Sequence, residues 1–227
     1  MFFKFVFFVQ HAVSLLRICL TKFHDALAAG IKHACTLHHS AKCFIEFFHG
    51  QSLAVENLLD GIASKAKWID VFSDRGAFNP DQTRRILSAG IAKGLKPRLH
   101  ANQLEQGEGI AIGVEFDAAS VDHISHFTDA DIGLLAGSNT VATFLPGAEF
   151  STRSNYPDAR RMLEAGVTVA LASDCNPGSS FTNNISFIIA LAVREMFFSP
   201  EQALWSATAG GAACGASLRG FGKPRLY

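Results

Sequence analysis

The feature that most constrains the fold is a regular alternation of strand-like and helix-like segments from about residue 65 onwards. Five segments are short and rich in branched or aromatic residues, as buried strands are. They are 68–72 (WIDVF), 96–100 (KPRLH), 120–124 (SVDHI), 140–145 (TVATFL) and 167–172 (VTVALA). They recur roughly every 20–28 residues, which is the spacing of βαβ units. The pattern predicts an α/β fold with a parallel sheet, either open or closed into a barrel.

The segments between these strands have the composition and end signals of helices. The predicted helices cover residues 79–95, 109–118, 128–138, 157–166, 184–197 and 199–213. Asn79, Thr128 and Ser199 are the predicted N-caps, and a proline follows the first and the last of them at the first helical position. Gly94 is the predicted end of the first helix.

Composition excludes several classes of protein. The 227 residues are 48% hydrophobic and 18% charged, which provides enough apolar material for a core. The 20 basic and 20 acidic side chains balance, so a small molecule is a better expected partner than a nucleic acid. The five cysteines are scattered without a CxxC pair, which favours a reducing compartment, here the cytoplasm, over a disulfide framework.

The first 54 residues do not join the alternation and are rich in phenylalanine and histidine. A lysine followed by an apolar run stands near the start, as in a signal peptide. Gln10, His11 and Arg17 interrupt that run, and no clear small-x-small cleavage site follows. We therefore expect a buried or poorly ordered segment rather than a leader or a membrane span.

Polar side chains stand at the ends of three predicted strands: His100, then Asp122 with His123, and finally Asp174. The carboxyl ends of parallel strands share one edge, where the active sites of βα folds lie. A lone histidine often only bonds the backbone. A carboxylate that leaves a buried strand, however, needs a hydrogen bond, a counter-charge or a cation. Histidine nitrogens and carboxylate oxygens suit zinc or iron, so a metal site and a purely structural role are both open interpretations.

The residues after Asp174 add groups that could hold a substrate. Asn176 offers an amide, Gly178 allows close backbone approach, and Ser179 offers a hydroxyl. Ser179 and Ser180 are expected just before a helix, whose N-terminal N–H groups would face an anion such as a carboxylate. A plain turn followed by a helix cap is the alternative.

The segment after the second predicted strand, LHANQLEQGEG, places an amide side chain close to His100. Gln103 could hydrogen-bond a substrate carbonyl or ring nitrogen through this amide. Because an amide does not titrate, Gln103 cannot be a general base.

Several longer stretches carry a family resemblance. They are WIDVFSDRGAFNPDQTRRILSAG, LHANQLEQGEG, SVDHISH, VATFLPGAEFSTRSNYPDARRMLEAGVTVALASDCNPGSS and ALWSATAGGAA. They resemble the imidazolonepropionases of the amidohydrolase superfamily, which act in histidine breakdown, over about residues 55–215. The resemblance implies part of a (β/α)8 barrel with one zinc or iron ion. It also implies hydrolysis of the ring amide C–N bond of 4-imidazolone-5-propanoate to N-formimidoyl-L-glutamate.

The resemblance also implies roles for residues at matching motif positions. His100 and Asp174 would be metal ligands, with Asp174 also a proton shuttle. His123 would assist water activation or polarise the substrate carbonyl. The remaining implied residues would contact substrate or product: Gln103, Asn176, Gly178 and Ser179.

The sequence also departs from the family pattern. The His-x-His motif that the family carries after its first barrel strand does not occur in the chain. We therefore expect residues 55–215 to form the C-terminal part of the barrel, with the N-terminal strands and the β-sandwich domain missing or degenerate. Residues 1–54 stay unassigned, and residues 216–227 form a tail. The expected metal binding is weak, and the expected turnover is slow or absent.

Two other functions remain open at this point. One is a different amidohydrolase, such as a deaminase of a nitrogen heterocycle. The other is a non-catalytic remnant or interaction module, since an incomplete barrel leaves sheet edges that can pair with another chain. A homodimer is one option for the assembly.

Overall fold

Five parallel strands form a single sheet in the computed structural model, which describes Leu59, residues 63–176 and residues 178–215. The strands are β1 (Trp68–Ser73), β2 (Lys96–Ala101), β3 (Ser120–His123), β4 (Val141–Phe144) and β5 (Val169–Leu171). They lie side by side in sequence order, each hydrogen-bonded to the next. This confirms the predicted parallel α/β sheet, and its strand order is that of consecutive units in a (β/α) barrel.

Helices connect the strands and follow the last one. They are α1 (Pro80–Ala92), α2 (Gly109–Glu115), α3 (Asp129–Ala136), α4 (Pro146–Thr152), α5 (Arg160–Glu164), α6 (Ile185–Glu195), α7 (Pro200–Trp205) and α8 (Gly211–Ala213), with a π-helical turn at Ser206–Gly210 and a 3₁₀ turn at Ala63–Lys65. Helix α4 is not among the predicted helices, and a proline and a glycine such as those at its start are also typical of a turn. Proline is nevertheless well tolerated at the first helical position, where its missing N–H costs no hydrogen bond.

The predicted N-caps of α1, α3 and α7 are confirmed, and each belongs to a capping box. At α1, Oδ1 of Asn79 accepts a hydrogen bond from the N–H of Gln82 at 2.9 Å. In return, Oε1 of Gln82 accepts one from the N–H of Asn79 at 3.0 Å. Such a cap stabilises a helix by about 1 kcal/mol. It also specifies where the helix begins, and hence the length of the loop that carries the strand-end residues.

The two faces of the sheet meet different surroundings. Leu99 and Val121 point to one face and pack in the main core with the helices. Asp70, His100 and Asp122 lie on the other face and are also buried. Because side chains alternate along a strand, this second face is the one that turns inward when such a sheet closes into a barrel. These three polar residues therefore share the inner face.

The helical segment after α7 covers the inner face near β5. Cys214 packs there with Val141 and Ala170 in a small apolar cluster. A Cβ at Gly210 would lie 2.1 Å from the carbonyl oxygen of Val169, so only glycine allows the π-helical turn to lie this close to β5. The single helix predicted for residues 199–213 is thus divided by a π-helical turn.

The predictions for residues 1–54 and 216–227 lie outside the described residues. The domain boundaries at 54 and 215, and the predicted loss of the N-terminal strands, therefore stay predictions. Among the helices that the structure describes, none combines the length and the hydropathy needed to cross a membrane.

Candidate active site

His100, near the carboxyl end of β2, contacts a carboxylate from the neighbouring strand. Its Nδ1 lies 3.0 Å from Oδ1 of Asp70, and both side chains are buried. The distance allows Nδ1 to donate a hydrogen bond to this carboxylate, an arrangement in which the proton of the imidazole is on Nδ1. The contact fixes the orientation of the ring, as carboxylates do for histidines that bind metals through Nε2.

A second buried carboxylate completes a cluster around His100. Asp122 on β3 is the register partner of His100, and one potential ligand atom from each of Asp70, His100 and Asp122 lies within 4.8 Å of the others. Oδ2 of Asp70 is buried without a hydrogen-bond partner among the described residues. An imidazole and two carboxylates are donors that zinc and iron both accept. These three residues therefore fit a metal ion, and Asp174, the second predicted ligand, is not one of them.

The other predicted acid–base residues lie beside this cluster. The ring centroids of His100 and His123 are 5.2 Å apart, and Nε2 of His123 lies 3.8 Å from Oδ2 of Asp174. His123 and Asp174 are 0% and 2% exposed. The structure brings these three residues together along the carboxyl edge of the sheet, as the sequence predicts. Their roles as ligands or proton carriers stay predictions.

Unusual backbone conformations direct several of these side chains. Asn102, His123, Ile124 and Asp174 have φ angles of 51°, 75°, 43° and 52°. Residues other than glycine rarely adopt this left-handed region, and a β-branched residue such as Ile124 is an outlier there. Such strain persists only where the surrounding structure holds it, and it concentrates at functional sites.

The turn after Asp174 is closed by its own hydrogen bonds. Oδ1 of Asn176 accepts hydrogen bonds from the backbone N–H groups of Gly178 at 2.7 Å and Ser179 at 2.8 Å. Nδ2 of Asn176 donates to the carbonyl oxygen of Asp174 at 2.6 Å. Oγ of Ser179 donates to Oδ2 of Asp174 at 3.3 Å. Three predicted site residues thus build the turn, and two of them contact Asp174 directly.

Ser179 and Ser180 precede the helix predicted at 184–197, which the structure confirms as α6, but they do not cap it. Helix α6 begins at Ile185, and its N-cap is Asn184. The N–H of Asn176 donates to the carbonyl oxygen of Ser180 at 2.7 Å, which closes the turn on itself. The turn therefore ends before the helix starts, and the N-terminus of α6 does not lie at the two serines.

Gln103 lies half-buried in the loop after β2. Its backbone N–H donates to Oδ2 of Asp74 at 2.7 Å, which ties the loop to the end of β1. Its side-chain Oε1 is buried and has no hydrogen-bond partner in the described part of the chain. A buried oxygen without such a partner can accept a hydrogen bond from a bound molecule.

Glu149 on α4 is a further buried acid near this edge, with 3% of its surface exposed. Its Oε1 accepts a hydrogen bond from Oγ of Ser125 at 2.5 Å. Burial raises the pKa of Glu149 to about 7; the hydrogen bond from Ser125 opposes this shift, and the charge of Asp174 adds to it. Glu149 is therefore close to half-protonated at neutral pH.

Asp70 and Glu149 are not among the site residues predicted from the sequence, and Asp122 has no predicted role. Asp70 interrupts the apolar segment WIDVF. The argument applied to Asp174, that a carboxylate in a buried strand needs compensation, would have found it. Glu149 has no such signal, because its burial depends on the unpredicted helix α4 and on the packing of α4 against α6.

Buried histidines and carboxylates at the carboxyl edge of a parallel α/β sheet are typical of metal-dependent hydrolases with (β/α) barrels. The model of the amidohydrolase family matches residues 99–216, just over half of the chain. The chain therefore belongs to the amidohydrolase family, which confirms the resemblance found in the sequence.

Curated relatives named imidazolonepropionase are similar to most of the described chain. The one from Mycolicibacterium smegmatis is 65% identical over 155 residues, which are 68% of this chain and 39% of the relative. The one from Streptomyces coelicolor is 62% identical over 161 residues, 71% of this chain and 41% of the relative. The one from Salinispora arenicola is 66% identical over 158 residues, with shares of 69% and 40%. The chain thus spans about two fifths of the length of these relatives.

Several solved structures with a similar fold are deaminases. An adenine deaminase from Arthrobacter aurescens has a TM-score of 0.64 at 17% identity and covers 77% of this chain and 56% of its own. An N6-methyl-AMP deaminase from Arabidopsis thaliana has a TM-score of 0.63 at 16% identity, with shares of 85% and 61%. At these identities the similarity establishes the fold alone.

Proposed function

We propose that this chain carries part of an imidazolonepropionase-type active site, which opens the ring amide C–N bond of 4-imidazolone-5-propanoate to give N-formimidoyl-L-glutamate. One observation carries the proposal. His100, His123 and Asp174 lie in one buried row, in a chain of which about 70% is 62–66% identical to relatives named imidazolonepropionase. The substrate is a small molecule, in agreement with the balanced charge of the chain.

His100 and Asp174 are the residues that would hold a zinc or iron ion. When bound, such an ion polarises the carbonyl group and lowers the pKa of water. Asp70 directs the ring of His100 through the contact at Nδ1. Asp122 adds a further carboxylate next to the same ring. The nitrogen and oxygen donors suit either metal.

The residues of the chain handle the protons of the hydrolysis. Water adds its oxygen to the ring carbonyl carbon, the ring C–N bond breaks, and the leaving nitrogen takes up a proton. Asp174 accepts the proton from water and delivers it to that nitrogen. His123 donates a hydrogen bond to the carbonyl oxygen as negative charge develops on it.

The substrate-binding groups lie on the loops next to these residues. Oε1 of Gln103 is a buried acceptor for a ring N–H of the substrate. The turn of Asn176, Gly178 and Ser179 offers amide and hydroxyl groups to the propanoate or to the product. Because Asn176 and Ser179 also contact Asp174, binding at this turn and the position of the carboxylate are coupled.

The test combines metal content with hydrolysis of imidazolone propanoate followed in the ultraviolet. We expect weak metal binding and slow or absent turnover, because no His-x-His occurs in the sequence. Metal binding and any turnover should be lost in His100→Ala and Asp174→Asn and retained in Ser151→Ala, an exposed position on α4. Metal uptake or hydrolysis that is unchanged in both site variants would contradict the proposal.

Deamination of a nitrogen heterocycle is the alternative, since the similar folds include deaminases of adenine and guanine. Release of ammonia from adenine or guanine, without hydrolysis of imidazolone propanoate, would favour it. The much higher identity to the imidazolonepropionases supports the first function instead. A chain that binds neither metal nor substrate would be a non-catalytic module.

We further propose that the protein acts in the cytoplasm. Cys175 and Cys214 are free thiols in the described part of the chain, which suits a reducing compartment. A homodimer remains a prediction, and sedimentation equilibrium of the purified chain is the measurement that decides it.

A further inference from the structure

The turn that carries His123 holds an unfavourable backbone conformation. His123 and Ile124 follow one another with φ angles of 75° and 43°. Two consecutive left-handed residues that are not glycine, the second of them β-branched, cost free energy. Neighbouring parts of the molecule must therefore hold this turn in place.

One anchor of the turn comes from the end of β2. The N–H of Ile124 donates to the carbonyl oxygen of Ala101 at 3.0 Å. The N–H of His126 donates to the carbonyl oxygen of Asn102 at 3.0 Å, and Nδ2 of Asn102 donates back to the carbonyl oxygen of His126 at 3.1 Å. These bonds fasten the residues on both sides of Ser125 to the preceding βα unit.

A second anchor comes from the other side, from helix α4 of the following βα unit. Oγ of Ser125 donates to Oε1 of Glu149 at 2.5 Å. Both the ionised and the protonated form of the Glu149 carboxyl group can accept this hydrogen bond. The carboxylate is almost fully buried, where an acid is costly unless it is hydrogen-bonded. An apolar residue at this position could not accept the hydrogen bond from Ser125 that the buried Glu149 accepts.

We propose that Glu149 is a positioning residue, which acts through Ser125 to hold the turn that directs His123 at Asp174. His123 lies within 3.8 Å of Asp174 in this arrangement. The importance of this position for hydrolysis rests on the function proposed above. The anchor itself is a property of the folded chain and is tested without substrate.

The test is nuclear magnetic resonance of the isotope-labelled full chain at one fixed pH. It records the ring signals of His123 and the exchange of the backbone N–H groups of Ile124 and His126 with solvent. In Ser125→Ala and Glu149→Leu we expect shifted His123 signals and roughly tenfold faster exchange, because each change removes the same hydrogen bond. In Glu149→Gln, whose amide oxygen still accepts from Ser125, we expect wild-type signals and exchange.

Ser151→Ala is the matched control on the same helix, since its hydroxyl bonds only to the α4 backbone among the contacts described. Ser151→Ala should leave the His123 signals unchanged. The double variant Ser125→Ala/Glu149→Leu should resemble either single variant, because both changes remove the same hydrogen bond. If Glu149→Leu fails to fold, Ser125→Ala and Glu149→Gln provide the comparison.

Two results would overturn the proposal: wild-type His123 signals and exchange in Ser125→Ala, or a Glu149→Gln chain that differs from the wild type as Ser125→Ala does. Absent hydrolysis together with the expected resonance changes would speak against the proposed function and leave the anchor intact.

Discussion

Carboxylates beside imidazoles organise the candidate site at the scale of single residues. Asp70 contacts Nδ1 of His100 at 3.0 Å, and Asp174 lies 3.8 Å from Nε2 of His123. A carboxylate that faces one ring nitrogen determines which nitrogen carries the proton and how the ring is turned. The His100 imidazole is thereby oriented by a residue of the neighbouring strand, whereas 3.8 Å is too long for a hydrogen bond between Asp174 and His123.

Replacing Asp70 tests this orientation. In Asp70→Asn the amide keeps the shape of the side chain but no longer imposes a proton on Nδ1 of His100. We expect the affinity for zinc to fall about 10–100-fold, as measured by isothermal titration calorimetry. Asp158→Asn, an exposed position, is the control and should bind zinc as the wild type does. Equal affinities for all three chains would show that Asp70 has no orienting role.

Glu149 makes the stability of the protein depend on pH. Its pKa is raised from 4.5 to about 7, so between these values the folded state holds a proton that the unfolded state has lost. The free energy of unfolding therefore decreases as pH rises through this range and levels off above about pH 7. The full effect corresponds to about 3 kcal/mol.

Urea unfolding of the wild type and of Glu149→Gln at about pH 5 and about pH 8 measures this contribution. Because glutamine does not titrate, we expect the wild type to lose more stability than the variant on going to the higher pH. Parallel changes in the two proteins would mean that Glu149 does not titrate in this range.

Strand register and helix placement decide which residues meet at the scale of elements. Phe72 on β1, His100 on β2 and Asp122 on β3 are consecutive register partners, so three βα units present side chains at the same level. Helix α4 adds Glu149 from a fourth unit. The site is thus distributed over elements whose relative positions depend on close packing. This packing tolerates an added side-chain atom least where a helix touches a strand.

The contact between the π-helical turn and β5 is such a place. In Gly210→Ala the new Cβ would lie 2.1 Å from the carbonyl oxygen of Val169, a backbone atom that cannot rotate away. We expect a loss of about 1–3 kcal/mol in the free energy of unfolding, measured with urea. In the matched variant Gly211→Ala the nearest atom is 3.8 Å away, and the better helix propensity of alanine should add about 0.5–1 kcal/mol. The same change in both variants would contradict the close approach.

At the scale of the whole molecule, the apolar core and the candidate site occupy different places. The main core lies between the sheet and its helices, and a small apolar cluster around Cys214 lies on the inner face. The site lies where the polar inner face meets the carboxyl edge. Its residues are far apart in sequence, so a ligand that binds them together binds the folded state and stabilises it.

Zinc should therefore raise the melting temperature. At about 100 times the Kd, binding adds about 2.7 kcal/mol, which for a chain of this size corresponds to roughly 5–10 °C. Circular dichroism melts with zinc, and after its removal by a chelator, measure the shift. Asp174→Asn and His100→Ala should show little or no rise. A rise of equal size in these variants would place the zinc at some other site.

Much of the fold and part of the site were predictable because they depend on short-range patterns. The alternation of segments specifies a parallel sheet, and the residues at Asn79, Thr128 and Ser199 specify where three helices begin. His100 and Asp174 are recognisable because polar groups at the ends of buried strands need a reason to be there. Helix α4 was not predictable, since its proline–glycine start is also typical of a turn.

By itself, then, the sequence determined the parallel sheet, three helix starts and the edge at which the polar residues gather, because local periodicity and the cost of burial depend on neighbouring residues. Only the tertiary structure decided that Asp70 faces His100, that Ser125 bonds Glu149 and that the turn after Asp174 closes on itself. The first two pairs are 30 and 24 residues apart in the chain. They meet through strand register and helix packing, which depend on the whole assembled sheet.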